Sequence, residues 1–379
     1  MTTPAPGVGR GSRSAALDGV RAVAVLGVLA YHAHYPWAVG GYLGVDVFFV
    51  LSGFLITRVL LSTHRSWWGY RQFLVRRAVR LAPALVVAVA GMTLVGLLTG
   101  VPAGTVGSCG GASAGYVMNL PRAEELGCPA MWHITWSLAA EQQFYLAWPL
   151  ALGALALVLT RLRSGRPPGR GHGLALAAAG CLAGYLLELV WQVAARAAGS
   201  STAHVAYSPQ GRSLVLLLGC GLALVVAARR AGRRAQVLPQ ADAVALLSVG
   251  ALGWCLVEGE LGGGVGDLVP LVVAGLASLA LIAALVHAPA SSRAARALGA
   301  GPVAWLGRAS YSLYLWHEVA YRLAEQVAPR GSLVAEVLRF TLALALAAAS
   351  YHWVEQGAQR WWARRSVRDE EPASLVASA

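Results

Sequence analysis

"LDGVRAVAVLGVLAYHAHYP", residues 17–36, decides how this chain is read. The run is apolar over most of its length and about as long as a bilayer crossing, roughly 20 residues. It nevertheless carries Asp18 and Arg21 near one end and His32 and His34 near the other. Arg21 and His32 are 11 residues apart. At about 100° per residue they lie within roughly 20° of each other on one helix face. At ~1.5 Å per residue His32 stands about 16 Å above Arg21, near a bilayer midplane. Asp18, three residues before Arg21, is spaced for an i,i+3 ion pair. His34 is turned about 200° from His32, so at most one of the two histidines shares the face of Arg21. Ionisable groups at that depth are costly and usually face a bundle interior or a wet cavity. A histidine that merely hydrogen-bonds a neighbouring helix is the bland alternative, and this run alone leaves both open.

The rest of the chain extends that reading. Of 379 residues 57% are hydrophobic and 12% charged, against roughly 25% charged in soluble domains, too few to cover a water-facing surface of this size. All 30 basic residues are arginine and the net charge is +13. They cluster between apolar runs, which is the positive-inside pattern of a multispanning membrane protein rather than a nucleic-acid surface. The expected fold class is all-α, a polytopic membrane helical bundle. Ten spans are expected, at 17–37, 45–63, 79–100, 133–158, 173–195, 211–228, 240–257, 268–288, 310–326 and 332–354. With both termini cytoplasmic, the clusters "HRSWWGYRQFLVRRAVR", "RLRSGRPPGR", "RRAGRR", "SSRAAR" and "RWWARRS" face inward. Only Arg122, Arg196, Arg212, Arg322, Arg330 and Arg339 then fall on or near the outer side. The expected divisions are an N-terminal tail (1–16), a transmembrane domain (17–356) and a C-terminal tail (357–379) without order. The first run has a basic leader like a signal peptide. No small-residue cleavage site follows it, and its interior histidines are foreign to one, so it reads as a retained span.

Three further stretches carry ionisable or small residues. "GGYLGVDVFFVLSGFLI", residues 40–56, places Asp46 at the outer end of the second span and Ser52-Gly53 in its middle, where another helix or a ligand can approach closely. In "MWHITWSLAAEQQFYLAWP", residues 131–149, His133, Ser137, Glu141 and Tyr145 recur every four residues and form one polar stripe. Read from the outer membrane face, Glu141 lies roughly 12 Å in, a depth similar to that of His32. A carboxylate there would orient and charge the imidazole, the logic of a supported base; a purely structural buried pair is the alternative. Arg76, Arg77 and Arg80 sit at the inner face, where a topology signal, a lipid headgroup site and a phosphate clamp are all open readings. No phosphate-binding loop, dinucleotide fingerprint, GxSxG or HExxH is present, and the five cysteines form no metal motif. Cys109 and Cys128 share one polar loop, and an oxidising compartment there would pair them.

In order and spacing these motifs resemble the acyltransferase-3 family of integral membrane acyltransferases. "LDGVRAVAVLGVLAYH" resembles its Arg-x10-His signature on Arg21 and His32, and "GGYLGVDVFFVLSGFLI" its second-helix signature. "RRAVRLAP" resembles its Arg-x-x-Arg segment on Arg77 and Arg80, and "WSLAAEQQFY" its Glu141 segment. "ASYSLYLWHE" resembles its penultimate-helix signature on Tyr311, Tyr314 and His317. The match runs from about residue 15 to 356. It departs where Gln142 follows Glu141 and where "SYHWVEQGAQ" stands for the usual Glu-Arg-Pro, and the extra extracytoplasmic domain of some longer members is not expected.

The resemblance implies transfer of a short acyl group from acyl-CoA, a co-substrate rather than a bound cofactor, to a hydroxyl. The family's acceptors are envelope polysaccharides, lipids or antibiotics such as macrolides. It implies a bacterial cytoplasmic-membrane enzyme that meets lipid, acyl-CoA and a hydroxyl-bearing acceptor, with no nucleic acid and no metal. His32 is then the general base, Glu141 its orienting acid, and Arg77, Arg80 and Arg21 the binders of CoA phosphate and pantetheine. Asp18, Asp46, Ser52, Ser137, Tyr145 and His317 support substrate or structure. Direct transfer is expected ahead of an acyl-histidine intermediate. A transporter or flippase is the competing reading of midplane ionisable residues, though no inverted repeat is visible.

Overall fold

In hydrocarbon every backbone N–H and C=O must find an internal partner, so long apolar runs fold as helices. The structure is a computed structural model that describes residues 10–62, 67–162, 170–231, 237–260, 262 and 264–365. Among these residues it is helical, with no strand.

The helices are α1 (Arg10–His32), α2 (Gly44–Ser62), α3 (Trp67–Leu98), α4 (Ala103–Ala114), α5 (Asn119–Ala123), α6 (Ala130–His133), α7 (Trp136–Leu162) and α8 (Arg170–Ala197). They continue as α9 (Thr202–Tyr207), α10 (Leu216–Ala231), α11 (Ala241–Glu258), α12 (Leu268–Val286), α13 (Arg293–Leu298), α14 (Gly301–Arg308), α15 (Ser310–Val327) and α16 (Leu333–Ala349). A π-helical turn, Ser350–Glu355, follows α16, and helix resumes to residue 365.

Seven stretches are long and apolar enough to cross a membrane: Ala15–His32, Gly41–Ser62, Gly69–Leu98, Gly171–Ala197, Ala241–Glu258, Leu268–Val286 and Leu333–Arg365. The three further expected spans fall on α7, α10 and α15, which lie within the same bundle; α10 is the shorter at 16 residues, and α15 carries Glu318, Arg322 and Glu325. Leucines such as Leu187, Leu246 and Leu247 point outward, as a lipid-facing surface requires.

Two expected boundaries shift. Helix α1 starts at Arg10, inside the expected N-terminal tail, and the last helix runs through Arg365, inside the expected C-terminal one. The physical reason is local: "EQGAQRWWARR" holds no proline and a single glycine, so nothing stops the helix. Residues 366–379, and the arginine-rich connections at 63–66, 163–169 and 232–236, lie outside the described residues.

Helix α2 is the axis of the bundle, packed by α1, α10 and α12. Its contact with α10 is glycine on backbone in both directions. A Cβ at Gly53 would collide with the Leu216 carbonyl oxygen, and one at Gly219 with that of Val50. The small residue read at Gly53 is thus a close helix crossing. Helices α4–α6 form a cap closed by the Cys109–Cys128 disulfide, with a Cα–Cα separation of 5.8 Å. Trp132 of α6 is fully buried, its ring against Gly96 of α3.

Candidate active site

Helices α1, α2, α3, α7 and α15 enclose a cavity of about 80 Å³. Its polar wall is Arg21, Ser52, Arg77, Arg80, Ser137, Glu141, Ser310, Tyr311 and Tyr314. Phe48, Phe49 and Leu138 are among its apolar lining. The lining thus holds three arginines against one carboxylate, an excess of positive charge that suits an anionic ligand.

Two of the three arginines, Arg21 and Arg77, are held by their own neighbours. Arg21 Nη1 donates to Asp18 Oδ1 at 3.2 Å, the i,i+3 pair expected, and Arg308 stands 4.0 Å from the other Asp18 oxygen. Arg77 Nη2 donates to Glu141 Oε1 at 3.2 Å and also contacts the Tyr145 hydroxyl. Its guanidinium carbon lies 3.8 Å over the Tyr145 ring, a cation–π contact, and Tyr145 in turn donates to Glu141. The Arg77 Nε is buried without a hydrogen-bond partner, so the clamp keeps one unsatisfied donor.

One turn further along, Ser137 Oγ and Tyr314 Oη meet at 2.8 Å, and Tyr314 Oη donates to the Ile134 carbonyl at 2.7 Å. These two side chains line the cavity; His32 does not. His32 lies beyond them, at the C-terminal end of α1. Its Nδ1 is 3.0 Å from the Val28 carbonyl, one helical turn back, and 3.2 Å from His317 Nε2. His317 Nδ1 in turn lies 2.7 Å from the Tyr314 carbonyl. Carbonyl oxygens only accept, so both imidazoles carry their proton on Nδ1. The Nε2 lone pair of His32 is left free to take a proton. The carboxylate of Glu318 stands 4.0 Å from His32 Nε2 and 3.9 Å from His317 Nε2. His32 keeps 25% side-chain exposure, whereas His317 has none, so of the two only His32 is open to a ligand.

Arg21, Arg77, Arg80, Glu141, Ser52 and Ser137 therefore share one cavity, with Asp18 and Tyr145 directly behind it. The pairing of Glu141 with His32 is not what forms: Glu141 is bound to Arg77 and Tyr145, and the groups beside His32 are His317 and Glu318. The reason is the depth at which α7 begins. It starts at Trp136, and Met131 and Trp132 of α6, with Ile134 and Trp136 after them, are already buried. Glu141 thus falls level with the inner arginines, and His133 closes α6 instead of opening the polar stripe. Asp46 also leaves the site: it is fully buried and pairs with Arg212, which packs against Tyr42 and Trp136. His34 follows the end of α1 as an exposed residue with φ of 59°.

Glu318 and Tyr321 stand beside the histidines and are not among the residues read from the sequence. Glu318 is the neighbour of His317 in "LYLWHE", and Ser310, Tyr314, His317 and Tyr321 recur at intervals of four, three and four, a single helical stripe readable in advance. Arg212 has no local signal; only the fold brings it to Asp46. Glu355, the acid of the altered "VEQG" segment, is buried and bonds the Ser312 hydroxyl, which also meets Ser350.

Comparison with known proteins adds the chemistry. The family described as "Acyltransferase domain" matches residues 14–352. YrhL of Bacillus subtilis (strain 168), provisionally named a peptidoglycan O-acetyltransferase, is 33% identical over 362 residues, covering 90% of this chain and 54% of its own. The peptidoglycan O-acetyltransferase OatA of Listeria monocytogenes serovar 1/2a is 30% identical over 316 residues, covering 79% of this chain and 48% of its own. The O-acetyltransferase OatA of Staphylococcus aureus (strain NCTC 8325 / PS 47) is 29% identical over 362 residues, covering 89% and 56%. This chain spans about half the length of these relatives. No solved structure matches it.

Proposed function

The chain belongs to the acyltransferase-3 family, and on that premise we propose that it carries an acetyl group from a cytoplasmic acetyl-CoA to a hydroxyl of an extracytoplasmic glycan. The observation that carries this reading is the line of polar groups through the bundle. It runs from the arginine cavity, past Ser137 and Tyr314, to His32 and His317. The glycan acceptor is favoured over a macrolide because relatives are named for peptidoglycan. The membrane is the bacterial cytoplasmic one, with about ten spans and both termini inside. The disulfide-closed cap then lies in the oxidising compartment where such bonds persist.

In this scheme Arg77, Arg80 and Arg21 hold the phosphates and the head of the pantetheine arm, and Arg77 Nε supplies an unused donor. The rise of about 16 Å from Arg21 to His32 is spanned by the extended arm, which carries the thioester to the midplane. The Ser137–Tyr314 contact stands across that route and must open for the carbonyl to reach His32. The acceptor hydroxyl enters from the exposed side of His32. His32 Nε2 takes its proton while the oxygen bonds to the acyl carbon. The carbon–sulfur bond then breaks, and the proton passes from the imidazole to the leaving thiolate. His317 and Glu318 orient and stabilise the charged ring.

The test uses inside-out membrane vesicles loaded in the lumen with a glycan acceptor and supplied from outside with acetyl-labelled CoA. His32→Ala is expected to lower transfer by roughly 10²–10⁴-fold, the usual range for a lost general base. Arg77→Ala is expected chiefly to raise the KM for acetyl-CoA. Near-normal turnover in His32→Ala would sink the scheme.

A further inference from the structure

Local spacing holds no metal motif, but the tertiary fold builds a ligand set. His32, His317 and Glu318 each place one ligand atom within 4.8 Å of the others. We propose that this cluster is a binding site for a divalent transition metal of the zinc class, and that the bound ion switches off acyl transfer by occupying His32 Nε2.

Three observations support it. First, the donor chemistry is right: two imidazoles and one carboxylate are a known zinc set that leaves a fourth position open. Imidazole nitrogens also argue against Mg²⁺ or Ca²⁺, which prefer oxygen. Second, the tautomers are already set. Both Nδ1 atoms face backbone carbonyls, Val28 for His32 and Tyr314 for His317, which is how metal-binding histidines are normally held. The Nε2 lone pair of His32 is then free, while that of His317 faces His32 Nδ1. Third, the spacing leaves room for an ion. Ligands around tetrahedral zinc stand about 3.4 Å apart. Glu318 Oε1 lies 3.9 Å and 4.0 Å from the two Nε2 atoms. Closing those gaps takes shifts of about half an ångström.

Glu318 is available for this role. The ion-pair partners found for it are the two histidines, while Arg330 and Arg339 are paired with Glu325 and Glu336. The competing contact is His32 Nδ1 on His317 Nε2 at 3.2 Å. Metal binding would replace it and leave the Val28 bond intact. A metal on His32 Nε2 removes the lone pair that would accept the hydroxyl proton. The inhibition therefore rests on the proposed role of His32, but the binding does not.

The test uses the untagged full chain in lipid nanodiscs, stripped with a chelator and titrated with Co²⁺, followed by Zn²⁺. The expected result is a four-coordinate Co²⁺ ligand-field band that saturates at one ion per chain and is displaced by Zn²⁺. Glu318→Gln and His317→Ala should each weaken binding by at least about tenfold, while His34→Asn leaves it unchanged. In the wild type, Zn²⁺ should inhibit acetyl transfer over the range in which it displaces cobalt. Absence of the band overturns the site, as does a band that persists in both Glu318→Gln and His317→Ala. Binding as expected without inhibition keeps the site and overturns the role given to His32.

Discussion

Asp46 and Arg212 show what a single charge means in this interior. The two side chains are 0% and 4% exposed and bond to each other, and Arg212 also donates to the Tyr42 carbonyl at 3.4 Å. Removing one partner leaves an uncompensated buried ion, typically a loss of about 3–5 kcal/mol. Asp46→Asn is therefore expected to lower the thermal midpoint in detergent sharply, and Asp46→Leu combined with Arg212→Met to recover most of it. A double variant no more stable than Asp46→Asn would show that the pair is not the cause. The Arg77–Glu141 pair differs in kind: its side chains are 19% and 16% exposed and border the cavity. Its variants should register in substrate binding before they register in stability. Arg77→Lys should not restore function, because a compact ammonium cannot lie flat over the Tyr145 ring as the guanidinium does while it reaches Glu141.

Helix α10 lies so close to α2 that both contacts pass through glycine. Gly219→Val would drive a side chain into the Val50 carbonyl, and Gly53→Val one into that of Leu216. Either change should cost about 1–3 kcal/mol or more, because neither backbone can withdraw without moving Ser52 in the cavity wall. Gly250→Ala on α11 is the control: a Cβ there meets nothing within 4 Å, so stability should hold or rise slightly. Thermal melting of the three variants in one detergent checks this, and equal behaviour would refute the close-crossing account. The second element that sets the site is α15. Through one stripe it gives the cavity Ser310 and Tyr314, gives His32 its partner His317, and reaches Tyr321, which bonds the Leu29 carbonyl of α1. A helix that touches both ends of the path is the natural holder of its register.

Across the whole molecule, six arginines fall on the outer side in the orientation expected from the sequence, against the positive-inside tendency. Five of those are tied down. Arg212 pairs with Asp46, Arg339 with Glu325 and Glu336, and Arg330 with Glu325. Arg122 lies over the Tyr207 ring, and Arg196 donates to Gln192. Arg212, Arg330 and Arg339 are thus paired with carboxylates, whereas Arg122 and Arg196 rest half-buried against uncharged partners. The proposed sidedness has a direct check, because the native cysteines are silent: Cys109 and Cys128 are paired, and Cys181, Cys220 and Cys255 are buried. In intact cells an impermeant maleimide should label His34→Cys from outside, while Arg308→Cys should react only after the cells are opened. The reverse pattern would overturn the orientation.

What the sequence by itself determined was everything that helical periodicity controls. The bundle class, the positions of the long helices, the shared face of Arg21 and His32, the Asp18–Arg21 pair and the small residue at the α2 crossing all follow from about 100° and 1.5 Å per residue. Only the tertiary structure decided which groups meet across helices. It gave Glu141 to Arg77 instead of His32, Asp46 to Arg212, and His32 to His317 and Glu318. The physical reason is depth. A periodic pattern fixes which way a side chain points but not the height at which its helix starts. Here α7 begins beneath a disulfide-closed cap, not at a membrane face, and that offset reassigned the acid.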